Sequence, residues 1–192
     1  MRVLVACEYS GRVREAFRNK GHEAWSCDLL ESEDNSPFHY QEDCLDTIQE
    51  GWDLIVMHPP CTALAVSGNR WYGNGMERQA AREEAVQWTV LLWDLACAYA
   101  ERVCMENPVG VLTQQSTLPQ PHYIQPWQFG HGETKKTGLW LHNLPKLQAT
   151  NIVEGRENRV WLMPPSKNRW KERSRTYQGV ADAMAEQWGI YD

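Results

Sequence analysis

Two apolar stretches of this sequence each end at a residue that could take part in catalysis. The first, residues 52–57, is followed by His58-Pro59-Pro60 and then by Cys61. Proline has no N–H for a strand ladder and fixes its own φ, so the two prolines should leave the sheet as a stiff loop. In an open parallel α/β sheet, ligands bind at the carboxyl ends of strands, where a rigidly held thiol can act as a nucleophile. A lone cysteine is more often a small buried residue, but the prolines before it and Ser67-Gly68 after it favour a functional role.

The second apolar stretch, residues 102–105, leads into Glu106-Asn107-Pro108-Val109-Gly110, which we interpret as a proline turn. Between the two stretches, residues 76–101 are rich in helix formers and carry apolar residues at helical spacing. A strand, a crossover helix and a parallel strand form a right-handed unit, whose two strands are commonly neighbours. We therefore expect Cys61 and Glu106 to emerge side by side. A thiol beside a carboxyl that can stay protonated suits addition to an electron-poor ring.

The first 28 residues have the pattern of a nucleoside-binding unit. Residues 2–7 predict a buried strand, residues 8–11 a loop, and residues 12–20 a helix that Gly21 closes. Such a loop leaves N–H groups and the positive end of the helix dipole facing a ligand. Residues 23–28 predict a second strand that ends at Asp28. This acid follows the loop at about the 20-residue spacing at which an acid meets the ribose of a cofactor.

The rest of the chain completes an α/β pattern. We interpret residues 29–40 as an exposed loop, 41–46 as a short third element, 138–141 and 159–163 as strands, and 180–188 as a final helix. Residues 131–137 are polar enough to line a site, although they indicate no particular reaction. Together these elements predict a doubly wound, mostly parallel α/β sheet.

Composition is that of an ordinary globular protein. With 192 residues, 42% of them hydrophobic, a single domain spanning 1–192 is the simplest prediction. No apolar run approaches the ~20 residues of a membrane span, and a strand begins at once, so we expect a cytoplasmic protein without a signal peptide. The six cysteines form no Cys-x-x-Cys pair, which argues against a zinc site or a disulfide framework. We predict no bound metal.

Charge is distributed unevenly along the chain. The net charge is −6, yet residues 131–192 contain 10 basic and 7 acidic side chains. A negative net charge is the wrong sign for gripping duplex DNA with the whole surface. The basic residues concentrate in one segment, at Lys167, Arg169, Lys171, Arg173 and Arg175. Such a run is usually a solvated loop, and the alternative interpretation is a segment that contacts phosphates.

These motifs resemble those of cytosine-C5 DNA methyltransferases. Pro59-Pro60-Cys61, followed by Ser67-Gly68, is similar to the catalytic loop of that family, and Glu106-Asn107-Pro108-Val109 to its Glu-Asn-Val motif with a proline inserted. Most of the chain is similar to small phage-type members. The resemblance implies a class I, Rossmann-like methyltransferase fold, S-adenosylmethionine as cofactor, and methyl transfer to C5 of cytosine in DNA.

The resemblance also implies catalytic roles. Cys61 would add to C6 of the base, and Glu106 would protonate or hydrogen-bond N3 and the exocyclic amine. Asn107 would support Glu106. Arg159 resembles the arginine of the family's Gln-x-Arg-x-Arg motif, and it would hold the cytosine carbonyl oxygen.

The implied cofactor contacts come from several parts of the chain. They are Tyr9, Ser10, Gly11, Asp28, Asp43, Pro59 and Gly179. Asp28 matches the acid that binds ribose, and Asp43 matches the acid that contacts the adenine amine. The chain departs from the family in lacking the usual Phe-x-Gly-x-Gly pattern near Tyr9, and in carrying Val180 where the last motif has asparagine.

The substrate stays open at this point. Only 19 residues separate Arg159 from Gly179, where the family usually carries a target-recognition domain, so this chain has no domain of its own to read duplex DNA. We expect single-stranded or locally opened DNA to be favoured, with a protein partner as one source of recognition. The alternatives are a free cytosine nucleotide such as dCMP, a non-catalytic methyltransferase-derived subunit, and transfer of a group larger than methyl.

Overall fold

Seven strands form one sheet in the computed structural model, which describes residues 1–190. They are β1 (Arg2–Ala6), β2 (Glu23–Asp28), β3 (His39–Gln41), β4 (Trp52–Met57), β5 (Ala100–Pro108), β6 (His122–Ile124) and β7 (Thr137–His142). Their order is β3-β2-β1-β4-β5-β7-β6, and β7 runs antiparallel to both of its neighbours while the pairs from β3 to β5 are parallel. The predicted doubly wound, mostly parallel sheet is confirmed.

Helices of very different length connect these strands. They are α1 (Arg12–Asn19), α2 (Cys44–Thr47), α3 (Asn69–Tyr72), α4 (Gln79–Tyr99), α5 (Leu112–Gln115), α6 (Arg159–Leu162), α7 (Arg169–Ser174) and α8 (Gln178–Trp188), with 3-10 turns at Ile48–Glu50, Val66–Gly68 and Pro126–Gln128. The crossover from β4 to β5 uses α4, as the sequence predicts. Within residues 1–190, no helix has the length and apolar character needed to cross a membrane.

The central strands β1 and β4 are buried on both faces of the sheet. Val5 and Val56 pack on the side of α1 and α8, while Leu4 and Ile55 pack on the side of α4. All four side chains are completely inaccessible to solvent. Burying an aliphatic side chain of this kind contributes about 1.5–3 kcal/mol. The edge of the sheet at which these strands end is therefore firmly anchored.

The ends of the parallel strands bring distant parts of the sequence together. The register pairs Ala6 with Met57, and Met57 with Met105. The loop after β1, the loop that carries Cys61, and Glu106 in β5 consequently start at the same level. Strands are added in opposite directions from the β1–β4 junction, and ligands of open α/β sheets bind at such a point.

Strand β5 extends farther than predicted. The expected proline turn at residues 106–110 is wrong, because Glu106, Asn107 and Pro108 continue the strand and pair with β7. At this level β4 has already ended, so β5 has a neighbour on one side only. A proline is tolerated there, since a strand edge does not need its missing N–H. The extension places Glu106 on a strand rather than in a loop.

Two other local predictions are corrected. The strand expected at residues 159–163 is the single-turn helix α6, which is closed by a bond from the Leu162 N–H to the Asn158 carbonyl. Trp161 and Leu162 are 68% and 73% exposed, so this segment has no sheet to cover and satisfies its backbone locally. The loop expected at residues 29–40 ends earlier, because His39 and Tyr40 belong to β3.

Candidate active site

Cys61 lies in a loop that is held against the ends of β1 and β5. The N–H of His58 donates to the carbonyl oxygen of Ala6 at 2.9 Å, and Asn107 Nδ2 donates to the carbonyl oxygen of Pro59 at 3.0 Å. Two N–H groups farther along the loop donate to the carbonyl oxygen of Cys61 itself. Asn107 is 1% exposed. Its buried amide holds the loop of the cysteine, whereas the sequence suggested support for the neighbouring glutamate.

Glu106 faces the same edge and contacts a histidine that the sequence interpretation left without a role. Its Oε2 lies 3.1 Å from His58 Nδ1, and both side chains are largely buried. Burial would raise the pKa of Glu106, but the hydrogen bond from His58 and the charge of Lys135 outweigh burial and hold that pKa below its usual value. The expectation that this carboxyl stays protonated is therefore wrong. Glu106 is a carboxylate at neutral pH.

The Cys61 thiol sits between opposing charges. Burial raises its pKa most, and the negative charge of Glu106 raises it further, while the positive charges of Lys135 and Arg173 act in the opposite direction. The net effect is a pKa above the ordinary value, so the free protein holds Cys61 as a thiol. The same interactions show that the two cations lie near the cysteine. Added positive charge at this point would favour the thiolate.

Lys135 is a site residue that the sequence did not single out. It lies two residues before β7, and its Nζ donates to the carbonyl oxygen of Arg173 at 2.9 Å. It also lines a small cleft that opens beside Glu106. The other lining residues come from the ends of β6 and β7 and from the start of α8: Ile124, Pro126, Thr137, Thr176, Tyr177 and Val180. An ammonium group and a carboxylate therefore share one partly apolar cleft.

The loop after β1 is closed on itself by Glu8. This carboxylate is 4% exposed, and it accepts hydrogen bonds from the N–H groups of Val13 and Arg14 at 2.8 and 3.2 Å. Two of the N–H groups expected to face a ligand at the start of α1 thus donate to Glu8 instead. A phosphate is not required to neutralise this helix end.

The predicted cofactor residues beside Glu8 are held in different ways. Ser10 Oγ donates to Glu8 at 3.3 Å, and Gly11 has a φ of +70°. A Cβ at Gly11 would collide with the guanidinium of Arg14, so this turn requires glycine. Tyr9 is 7% exposed and its hydroxyl lies 3.2 Å from Ser174 Oγ. The loop therefore contacts α7 through Tyr9.

Asp28 and Asp43 follow β2 and β3 at the same edge. Asp28 accepts from the N–H of Leu30 at 2.9 Å, and burial raises the pKa of its carboxyl despite this bond. Asp43 caps α2 by accepting from the N–H of Leu45 at 3.0 Å. The next residue, Cys44, has its Sγ 3.6 Å from that of Cys7 at the end of β1. The two acids thus flank the loop after β1.

Gly179 belongs to the first turn of α8. Its N–H donates to His131 Nε2 at 3.0 Å, and a Cβ at this position would collide with the carbonyl oxygen of Phe129. The glycine therefore allows α8 to approach the chain before β7 closely. Val180, the next residue, lines the cleft beside Glu106.

The basic segment lies across the carboxyl edge of the sheet as α7. Arg175 forms a two-bond ion pair with Glu33, with Nε–Oε2 and Nη2–Oε1 distances of 3.0 and 2.7 Å, and it also contacts Glu172. Lys171 Nζ lies 5.7 Å from the ring centroid of Tyr9. The charge of Arg173 reaches Cys61. The side chain of Arg175 is thus engaged in ion pairs within the protein, while the exposed Lys167 faces solvent.

Arg159 is drawn into a network on the outer side of the cleft. Its Nε lies 2.8 Å from Glu133 Oε1, and the Tyr177 hydroxyl donates to Glu133 Oε2 at 2.7 Å. The side chain of Arg159 is 49% exposed. Its link to the cleft runs through Tyr177, whereas Lys135 lines the cleft directly.

Comparisons with known proteins support the fold alone. No protein-family model matches the chain, and no curated protein sequence matches it. A solved structure described as a DNA modification methyltransferase encoded within a prophage of E. coli superposes with a TM-score of 0.56 at 10% identity, covering 86% of this chain and 55% of its own. A DNMT2 variant from Spodoptera frugiperda reaches a TM-score of 0.48 at 14% identity, covering 82% and 55%. The chain spans about half the length of these proteins, and its fold is Rossmann-like, of the methyltransferase type.

The site residues fit a nucleoside cofactor without phosphate. Glu8 fills the helix end at which a dinucleotide would place its phosphates, and Asp28 and Asp43 are available beside it. Asn107 Oδ1 and His58 Nε2 are buried and lack a hydrogen-bond partner within the described part of the chain. Buried polar atoms of this kind are usually completed by a ligand or by water. S-adenosylmethionine, which carries no phosphate, satisfies these conditions.

Proposed function

We propose that the protein transfers a methyl group from S-adenosylmethionine to C5 of cytosine in DNA, through a covalent bond between Cys61 and C6. The observation that carries the proposal is a cleft lined by a buried carboxylate and an ammonium group, Glu106 and Lys135, whose charges both act on the nearby Cys61 thiol. The motif resemblance and the fold similarity to a DNA modification methyltransferase support the same reaction.

The side chains match the needs of the base. C5 of cytosine is a poor nucleophile until a thiolate adds to C6, which breaks the aromatic system and makes C5 electron-rich. The Glu106 carboxylate accepts a hydrogen bond from the exocyclic amine, and Lys135 donates to the carbonyl oxygen of the base. Both contacts orient the ring above Cys61. Asn107 keeps the cysteine loop in place through its bond to Pro59.

Lys135 takes the role that the family resemblance assigned to Arg159, which is to hold the carbonyl oxygen of cytosine. Lys135 lines the cleft, and its charge acts on both Glu106 and Cys61. Arg159 forms an ion pair with Glu133, which holds the Tyr177 hydroxyl. In this proposal Arg159 positions the wall of the cleft, and Lys135 contacts the base.

The cofactor is held by the loops at the ends of β1, β2 and β4. Tyr9, Ser10 and Gly11 form the first loop, Asp28 binds the ribose hydroxyls, and Asp43 contacts the adenine amine. Pro59 and Gly179 close the methionine side. When bound, S-adenosylmethionine supplies an electrophilic methyl carbon.

A free cytosine nucleotide is the second candidate substrate. The segment between Arg159 and Gly179 folds as only α6 and α7, which offers no broad surface to a duplex. Lys167, Arg169, Lys171 and Arg173 would then contact one phosphate rather than a strand. We propose DNA, single-stranded or locally opened, as the main substrate, because Trp170, which lies between Arg169 and Lys171 in α7, is 50% exposed and can stack on a base.

Mass spectrometry of nucleosides tests the proposal. DNA from cells that produce the wild-type protein should contain 5-methylcytosine, whereas Cys61→Ala should give none. Cys97→Ala on α4 is the matched control and should behave as wild type. Purified protein is then offered duplex DNA, single-stranded DNA and dCMP. Turnover of dCMP alone would show that the substrate is a free nucleotide rather than DNA. A cytosine product heavier than 5-methylcytosine would show that the transferred group is larger than methyl.

A further inference from the structure

His58 is a buried titratable side chain at the end of β4. Its side chain is 9% exposed, and Nδ1 lies 3.1 Å from Glu106 Oε2. Nε2 is buried and has no hydrogen-bond partner within residues 1–190. The backbone is fixed on both sides, because the His58 N–H donates to Ala6 and the stiff Pro59-Pro60 pair follows. The imidazole is thus held against the carboxylate by the strand end.

We infer that His58 supplies the proton that cytosine takes up during thiol addition and receives it back afterwards, acting through Glu106. This inference rests on the proposed function, because it assigns a proton transfer within the same reaction. Thiolate addition to C6 pushes an electron pair onto N3, which must then gain a proton. Glu106 is ionised and has no proton of its own to give. The imidazolium of His58, hydrogen-bonded to Oε2, provides one.

Proton transfers accompany each bond change at the base. Cys61 first loses its thiol proton to water. His58 Nδ1 gives its proton to Oε2 of Glu106, which leaves a neutral imidazole, and the carboxyl group turns this proton towards the base. As Sγ bonds to C6, the C5–C6 double bond moves to C4–C5, the C4–N3 pair moves to N3, and N3 takes the proton, which makes Glu106 a carboxylate again. C5 then bonds to the methyl carbon while the electron pair of the broken methyl–sulfur bond stays on the donor sulfur, and C5 loses its own proton to water. When Sγ leaves C6 as a thiolate, N3 returns its proton through Glu106 to His58.

The geometry gives Glu106 two distinct sides. His58 already occupies Oε2, so Oε1 is the oxygen left for the base. Lys135 and Cys61 interact electrostatically with Glu106, and Arg173 interacts with Cys61. Lys135 stabilises the carboxylate form of Glu106.

The first test compares His58→Asn with the wild type and with His142→Asn at the far end of β7. The rate of covalent adduct formation with a 5-fluorocytosine oligonucleotide and S-adenosylmethionine is measured across pH. Asparagine can still donate to Glu106 but cannot carry a proton. We expect the rate to fall by about 10²-fold and its pH profile to lose one ionisation. The His142 variant should match the wild type, and an unchanged rate and profile in His58→Asn would overturn the inference.

The second test needs no turnover. Carbon-13 NMR titration of the Glu106 carboxyl is recorded for wild type, His58→Asn and His58→Leu. Removing the donor in His58→Leu should raise the pKa of Glu106, because the hydrogen bond from His58 holds it down. His58→Asn should lie between the other two proteins. An unmoved Glu106 titration in both variants would show that His58 does not act on this carboxylate.

The two tests separate the inference from the function on which it rests. If wild type forms no adduct, the methyl-transfer proposal fails and the proton assignment fails with it. If wild type reacts and His58→Asn reacts equally, only the assignment to His58 is wrong. His58→Gln serves as a second variant, since its longer amide preserves the donor if asparagine disturbs the loop.

Discussion

The two sides of the cleft are built in different ways. On one side, Cys61 and Glu106 stand at the ends of buried strands, with the cysteine loop fixed by the buried Asn107 amide. On the other side, α7 is attached through side-chain contacts near solvent, such as Arg175 with Glu33 and Tyr9 with Ser174. The chemical groups are therefore preorganised by the fold, while α7, the segment proposed to contact the substrate phosphates, is joined by contacts that are easily exchanged.

The contacts on the two sides also differ in how much free energy they contribute to stability. Leaving one partner of a buried hydrogen bond unpaired costs about 1–3 kcal/mol. Exposed ion pairs contribute only about 0.2–1 kcal/mol and weaken with salt. Substitutions on the side of Cys61, Glu106 and Asn107, which we call the strand side, should consequently change reaction rate and stability strongly. Substitutions on the α7 side should change substrate binding and its salt dependence, with little effect on the fold.

The largest effect is expected from Asn107→Leu. It removes the bond to the Pro59 carbonyl and releases the loop that carries Cys61, with little change in side-chain volume. We expect adduct formation to slow by about 10²-fold and stability to fall by about 1–3 kcal/mol. Rate assays and urea unfolding measure the two effects. Gln49→Leu, an exposed change on the surface, should alter neither, and a fully active Asn107→Leu would contradict a rigid strand side.

The next effect concerns the pH at which the Cys61 thiol ionises. Lys135 lowers the pKa of this thiol against burial and Glu106, so Lys135→Gln should raise that pKa further and move thiolate formation to higher pH. Iodoacetamide labelling of the Cys61 peptide as a function of pH reports this shift. Lys135→Arg keeps the charge and should behave as wild type. Lys136→Gln is the neighbouring control, and an equal shift there would remove the special role of Lys135.

A smaller effect is expected on DNA binding. Lys167→Gln combined with Lys171→Gln should weaken single-stranded DNA binding, and each lost phosphate contact should reduce the salt slope by about 0.7. Binding of S-adenosylmethionine should be unchanged, because its site lies at the strand ends. The same charge change at the exposed Lys20 and Lys146 is the control. Equal losses in both double variants would mean that net charge, rather than this segment, governs binding.

The smallest effect should come from the attachment of α7 itself. A double-mutant cycle with Glu33→Gln and Arg175→Gln should give a coupling of about 0.2–1 kcal/mol that fades at high salt. Thermal unfolding at two ionic strengths measures it. A coupling free energy far above this range would show that α7 is held as firmly as the strand side of the cleft.

The fold was largely predictable from the sequence, because the strands near the centre of the sheet are apolar runs with clear ends. The run before Pro59 predicts β4, and the helical spacing after it predicts α4. The strand expected at residues 159–163 is wrong, since the apolar run there includes the exposed Trp161 and Leu162 rather than forming a buried face. The end of β5 was also misplaced, because a strand with one neighbour tolerates Pro108.

The site was predictable only in part. The pairing of Cys61 with Glu106 follows from two strand ends that carry recognisable motifs. His58 could have been noticed as a titratable residue directly before the prolines. Lys135 falls in the segment 131–137 that is polar enough to line a site, but its particular role could not be predicted. That role depends on β7 running antiparallel beside β5, which no local pattern encodes. The capping of α1 by Glu8 was missed because an acid in a loop resembles any other surface acid.

The central claim is that Cys61 bonds covalently to cytosine. The most direct test incubates the protein with S-adenosylmethionine and a single-stranded oligonucleotide that contains 5-fluorocytosine, followed by intact-mass measurement and peptide mapping. We expect a protein–oligonucleotide adduct on the Cys61 peptide in wild type and in Cys97→Ala, and none in Cys61→Ala. An adduct that persists in Cys61→Ala, or that maps to another cysteine, would contradict the account.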